Sequence, residues 1–449
     1  LETKIAQAQE SLVYSEDIHK ANNMWTIADY TQKAPGMNWA VYFKAAGLGD
    51  QKQIDAWQPA ATTAIAALVG GESINTWKQL LRYHAIDSAA PLLPKAFADL
   101  NFQFYSGTLE GVPAQPERWK RAVDATSDDL DYAVGRVYVQ KYFPPEAKAE
   151  VQDMVKNLIA TFNERLDTLA WMTPATRAKA KEKLSTLRVG VGYPDSWRDY
   201  STLVVRPDDA LGNHERAMDY RYHYQLSKLG KPADRGEWWM TPQTVDAVNL
   251  PVQNALNFPA AVLQPPFFFP HGDAAVNYGA TGATIGHEIS HSFDNLGSQF
   301  NAQGKLENWW TPQDAAHFKA TTQKLVEQYN RYEALPGLYV SGQQTLGENI
   351  ADVAGLAVAY AAYHRSLHGK AAPVIDGLTG DQRFFLAYAQ SWRVKIRDAE
   401  LRQRLSTDVH APDSIRAQAV RNIDGWYAPF NVQPVQKLYL SPSDRVKIW

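Results

Sequence analysis

With 449 residues, 45% hydrophobic and 12% aromatic, the chain is long for one core, so two domains or lobes are expected. Lys plus Arg (45) nearly balances Asp plus Glu (48), which excludes a strong field for nucleic acid or acidic membranes. The lack of cysteine excludes disulfides, thiolate catalysis and cysteine-ligated zinc, and no apolar run reaches the roughly 18 residues of a membrane span.

The chain begins LETKIAQAQ, without a methionine or signal peptide, which is consistent with an upstream segment removed by processing or design. Residues 1 to about 205 read as helices with charged outer faces, as in AVGRVYVQKYF and KAEVQDMVKNLIATFNERLDTLAWM. Thr173 and Pro174 look like the cap and first-turn proline of the next helix. The most basic stretch, TRAKAKEKLSTLR, reads as a solvated helix face. The texture changes after VGYPDSW and RPDDALGN, which places a helical lobe at 1–205 and a second domain at 206–449. From Asp246, DAVNLPVQNALNFPAAV has two β-prone pieces about a Pro-Val-Gln-Asn turn, a hairpin near a sheet edge. The proline-rich QPPFFFPHG follows, then Gly279, Gly282 and Gly286, which suit close packing rather than a phosphate loop because no Gly-Lys-Ser/Thr follows. AGLAVAYAAY, the longest apolar run, has the length of a buried helix.

GHEISHSFD holds two of the 11 histidines at a spacing of four. On a helix, His287 and His291 then share one face, about 5–6 Å apart at Cβ, close enough for both rings to reach one zinc ion. Glu288 lies beside them, where it could touch an attacking water without being a ligand. A third ligand decides between this and a chance motif. The HExxHxxGxxH pattern fails, because Asp294 and Gly297 stand where glycine and histidine are needed. A glutamate 19 or 20 residues past His291 fails too, because Trp310 and Thr311 stand there and Glu307 is out of register. GENIADVAGLAVAYAAY is the better source, since Glu348 and Asp352 are the only acids in an apolar helix and lie four apart. Burying both needs a cation and hydrogen-bond donors, which zinc for Glu348 and a histidine N–H for Asp352 would supply. The alternative is an exposed first turn whose acids favour the helix dipole. His364 and His368 point elsewhere on that helix, and His271 and His317 belong to no comparable group.

These residues resemble the neprilysin-like zinc endopeptidases, the family of neprilysin and endothelin-converting enzyme. HEISHSFD, GENIADVAGL, FPAAVLQPPFF and TDVHAPDSIR match its signatures in order, and AVGRVYV, WMTPATRAKAKEKL, VGYPDSW and LGKPADRGEWWMTPQTV extend the likeness over the chain. The resemblance implies a mainly α-helical, two-lobed fold: a thermolysin-like zinc domain with a small β-sheet, and a helical lobe enclosing a cavity that admits small peptides. It implies one Zn2+ held by His287, His291 and Glu348, with Glu288 activating water and Asp352 orienting a ligand histidine or assisting proton transfer. His410 would stabilise the oxyanion, and Arg416 would bind a substrate carbonyl. Peptide substrate would lie antiparallel to the edge segment near residues 246–249, where Asp246, Ala247, Val248 and Asn249 stand for the family's gripping stretch.

Asp246 departs from the family's Asn-Ala-Tyr/Phe-Tyr stretch, because an ionised aspartate only accepts where asparagine also donates. That departure motivates the rival reading, a weak or inactive peptide-binding relative; a purely structural subunit has less support. Family members also carry a long segment before the point matching LETKIAQAQ, so a second chain or segment is expected to complete the first lobe. The absent cysteines suggest a bacterial member, and the resemblance places it outside the cytoplasm, periplasmic or secreted.

Overall fold

The computed structural model describes residues 1–15 and 17–449, and it is mostly helical with few, short strands. The described residues form two compact units, Leu1–Pro116 with Leu203–Lys231, and Glu117–Thr202 with Pro232–Trp449. This differs from the expected division near residue 205. Helix Pro145–Thr168 buries Val151, Leu158, Phe162 and Leu166 in the same core as Ile285 and Ile289 of the HEISH helix, so its packing assigns it to the second unit.

The first unit has a small aromatic core, in which Trp25, Tyr30, Trp39 and Phe43 pack with Ala34, Ala56 and Ala66. Tyr30 sits at its centre, with ring centroids 4.8 Å from Trp39 and 5.0 Å from Phe43. Its helix, Ile27–Lys33, starts at a capping box in which Thr26 and Asp29 satisfy each other's backbone amides. No helix among the described residues is long and apolar enough to cross a membrane.

The second unit carries the expected hairpin. Val248–Leu250 pairs antiparallel with Ala255–Pro259 across a turn at Pro251–Gln253, and Asn254 takes the left-handed conformation (φ 45°) that closes it. Arg188–Gly192 joins the other side of Ala255–Pro259 in parallel, so Val248–Leu250 is an edge strand of a three-stranded sheet. The central strand is buried throughout. A wide turn at Tyr278–Gly282 then leads into helix Ala283–His291. Gly286 packs against Gly355 of helix Leu346–Ser366, where a Cβ on either residue would strike the other helix's backbone. Close packing, as expected of these glycines, is what brings the two helices carrying His287, His291 and Glu348 together. AGLAVAYAAY is largely buried in the second of them.

Candidate metal centre and active site

His287 and His291 project from one face of their helix, and their Nε2 atoms stand 2.9 Å apart. Glu348 Oε2 lies 3.2 Å from the first and 3.5 Å from the second. These three are the only group of such side chains, among the described residues, whose ligand atoms lie close enough to hold a metal ion.

The donor set can be tested without an ion. His287 Nδ1 meets Asp352 Oδ1 at 2.9 Å, and His291 Nδ1 meets Asp294 Oδ2 at 2.6 Å. A carboxylate can only accept, so each Nδ1 carries the proton and each Nε2 lone pair faces the other and Glu348. Glu348 Oε2 is buried between these two Nε2 atoms and His410 Nε2, which lies 3.1 Å away. Three converging acceptors repel unless a cation or shared protons lie among them. Burial opposes charge on His291, yet Glu348 and Asp294 hold it well above its ordinary value. Burial also pushes Glu348 up, but His291, His287 and His410 outweigh it and hold the carboxylate well below its usual range. Two nitrogens, each with its ring oriented by an aspartate, and one carboxylate oxygen can hold one zinc ion.

Around this centre, Arg416 grips Asp352 with two bonds, Nε to Oδ2 at 2.9 Å and Nη2 to Oδ1 at 2.8 Å. Its guanidinium lies 4.2 Å from the Trp392 ring centroid, and its carbonyl accepts from Tyr388. The buried Asp352 is therefore shared by His287 and Arg416, so it is neutralised rather than stranded. His410 places Nε2 3.1 Å from Glu348 Oε2, while Asp408 accepts from its Nδ1 at 2.8 Å. Burial pulls His410 down, but Asp408 and Glu348 outweigh it and raise the imidazole to about 9. Glu288 is buried at the base of the site, and burial raises its carboxyl above the ordinary value despite His287 and His291.

A cavity of about 700 Å³ opens onto these residues and is lined by Asp246, Ala247, Glu288, His410 and Arg416 among others. Every site residue expected from the sequence thus borders one cleft or the centre beneath it. The histidines set aside lie apart: His364 pairs with Asp381, His271 with Glu150, and His317 stacks on Trp171.

Asp294 and Asp408 are not singled out by the sequence, and Asn249 enters there only as part of the edge segment. Asp294 follows His291 by three, in the turn beyond the helix end, and reaches back to the His291 ring. Asp408 precedes His410 by two. Asn249 donates through Nδ2 to the Glu288 carbonyl (2.7 Å) and Ser292 Oγ (2.8 Å), tying the edge strand to the HEISH helix.

Fold and site together define a zinc metallopeptidase architecture, and comparison with known proteins gives the family. Two models, both described as peptidase family M13, match residues 1–194 and 246–446, and the chain belongs to that family. It is 36% identical over 381 residues to the neutral endopeptidase of Lactobacillus helveticus, covering 84% of this chain and 56% of that protein. It is 30% identical over 415 residues to human neprilysin, covering 89% of this chain and 55% of that protein. The chain therefore spans little more than half the length of these relatives. Among solved structures, the Mycobacterium tuberculosis zinc metalloprotease Zmp1 in complex with inhibitor superposes with a TM-score of 0.95 at 42% identity, covering all of this chain and 69% of that one. The mostly helical architecture and these neighbours are consistent with the thermolysin-like fold that the motifs implied.

Proposed function

We propose that this protein is a zinc-dependent endopeptidase that hydrolyses internal bonds of small peptides. The observation that carries the reading is the convergence of His287 Nε2, His291 Nε2 and Glu348 Oε2 beside buried Glu288, in a cleft that an edge strand borders. Zinc, when held by those three residues, polarises a carbonyl and lowers the pKa of water to about 7. Glu288 accepts a proton from the attacking water as its oxygen adds to the scissile carbonyl carbon. His410, held at Nδ1 by Asp408, offers its Nε2 proton to the carbonyl oxygen as that atom gains negative charge. Glu288 then passes its proton to the amide nitrogen as the C–N bond breaks. Arg416 holds Asp352 and borders the cleft, and on this reading it binds a substrate carbonyl. The peptide backbone pairs antiparallel beside Asp246 and Ala247. By the family resemblance, its place of action is outside the cytoplasm.

The test is mass-spectrometric detection of internal cuts in a peptide mixture. Glu288→Gln should lower turnover by about 10²- to 10⁴-fold while zinc stays bound. Chelation should abolish the cuts and added zinc should restore them. One observation favours a second reading, a peptide-binding relative with little turnover: Asp246 presents an exposed carboxylate where the family has an amide. Equal trace turnover by the unaltered chain and Glu288→Gln would establish that reading instead.

A further inference from the structure

Lys183 lies in the basic stretch whose composition suggests a solvated face, yet it is 1% exposed. Its helix, Pro174–Ser185, turns Thr176, Ala180, Lys183 and Leu184 inward, so the solvated-face expectation fails along this side. An ammonium in such a place is costly unless its donors are satisfied. Nζ donates to the carbonyls of Gly297 and Phe300, each at 2.7 Å. Both carbonyls belong to the turn that follows the HEISH helix. Within the same turn, the amides of Leu296 and Gly297 donate to Asp294 Oδ1 at 2.8 and 2.7 Å. Asp294 Oδ2 is the atom that receives the Nδ1 proton of His291. The turn is thus gripped by an amine on its carbonyls and a carboxylate on its amides, and that carboxylate orients a metal ligand.

The fit is close on every side. A Cβ at Gly297 would collide with the His291 carbonyl, so the turn folds directly onto the end of the ligand helix. The carbonyl of Lys183 itself accepts from Asn254 Nδ2 at 3.0 Å, which fixes the lysine's own backbone to the hairpin. Packing alone would be served as well by an apolar side chain of similar length, without the desolvation cost. The two directed bonds are what a lysine adds.

We infer that Lys183 is a positioning residue of the metal centre: by clamping the carbonyls of Gly297 and Phe300 it holds the turn that fixes Asp294, and through Asp294 it sets the ring of His291. The inference rests on the reading that His287, His291 and Glu348 bind zinc. It predicts that the lysine's contribution appears in metal affinity and passes through Asp294.

The experiment measures zinc dissociation constants of the full chain by competition with a chromophoric chelator, together with the melting temperature of the zinc-free protein. Four proteins are compared: the unaltered chain, Lys183→Met, Asp294→Asn and the double variant. Lys183→Met should weaken zinc binding by about tenfold, the low end of what losing a group that orients a metal ligand costs. Asp294→Asn should weaken it by at least as much, and the double variant should bind no worse than Asp294→Asn alone. The melting temperature of zinc-free Lys183→Met should not fall, because methionine fills the slot without a buried charge. Lys183→Gln, which can still serve one carbonyl, should lie between. Zinc affinity of Lys183→Met within about twofold of the unaltered chain, or effects that multiply in the double variant, would overturn the inference. A lower zinc-free melting temperature with zinc affinity unchanged would assign Lys183 to structure alone. Failure of the unaltered chain to bind zinc would sink the zinc reading itself, and this inference with it.

Discussion

At position 246 the family pattern has an amide, and this chain has a carboxylate that borders the cleft. Its Oδ1 accepts from the amide of its own neighbour, Ala247, at 2.8 Å, and its charge adds to the burial that raises Glu288. Asp246→Asn would restore a donor facing substrate. One added hydrogen bond contributes about 1 kcal/mol, so kcat/KM on several peptides should rise about fivefold. Unchanged kcat/KM on all of them would show that residue 246 does not touch the substrate backbone. The same scale shows what spacing can and cannot reveal. Glu348 and Asp352 were legible because two acids four apart in an apolar helix require partners. Asp294 was not, because it entered only as the wrong residue in the longer histidine pattern. It lies in the turn beyond the helix end at His291, so helix spacing does not place it; the path of that turn brings its carboxylate to the His291 ring.

Two helix starts in the second unit are tied to each other. The sequence marks Thr173 and Pro174 as the beginning of a helix, and helix Pro174–Ser185 does begin there. Thr173 does not cap it through its own side chain, however. Asp314, in the first turn of helix Pro312–Tyr329, accepts from the Thr173 amide at 3.0 Å and from the hydroxyls of Thr173 and Thr311. Thr176 in turn accepts from the Thr311 amide at 3.2 Å. This exchange was illegible because the partners are 141 residues apart, whereas cap signals are read within one turn. The hairpin at 248–259 was legible because its turn and strands are adjacent in the chain. Losing one cap costs about 1 kcal/mol, so Asp314→Ala, which disturbs two helix starts, should cost about 2 kcal/mol in denaturant unfolding. Burial acts to raise the Asp314 carboxyl, but Thr173, Thr176 and Thr311 outweigh it and hold it below its usual value of 3.8. Its contribution is therefore complete above that value and is lost as pH falls through the lower folded value. Below about pH 4 the stability gap between the unaltered chain and Asp314→Asn should narrow with falling pH; a gap that widens would reverse the assigned sign.

Over the whole chain, the motifs name residues that the fold brings to one cleft, whereas the change in texture near residue 205 does not coincide with the division into compact units. Composition records that residues 117–202 are helical, as the residues before them are. It does not record which core their apolar faces enter, and Phe162 stacking on Phe293, with ring centroids 5.1 Å apart, belongs to the unit that carries the site. All three zinc-ligand candidates and their Asp294 and Asp352 partners lie in Glu117–Thr202 with Pro232–Trp449. A ligand that binds only the folded state adds about 4 kcal/mol when present at a thousandfold its dissociation constant. That stabilisation slows only those hydrogen-exchange events that break the site. Zinc should therefore slow amide exchange in helices Ala283–His291 and Leu346–Ser366, while leaving helix Trp39–Ala45 in the aromatic core of the first unit at its zinc-free rate. Exchange measured by mass spectrometry with and without zinc checks this. Equal slowing in all three helices would mean that opening the metal site requires both units to unfold, and would show that the chain unfolds as one cooperative body.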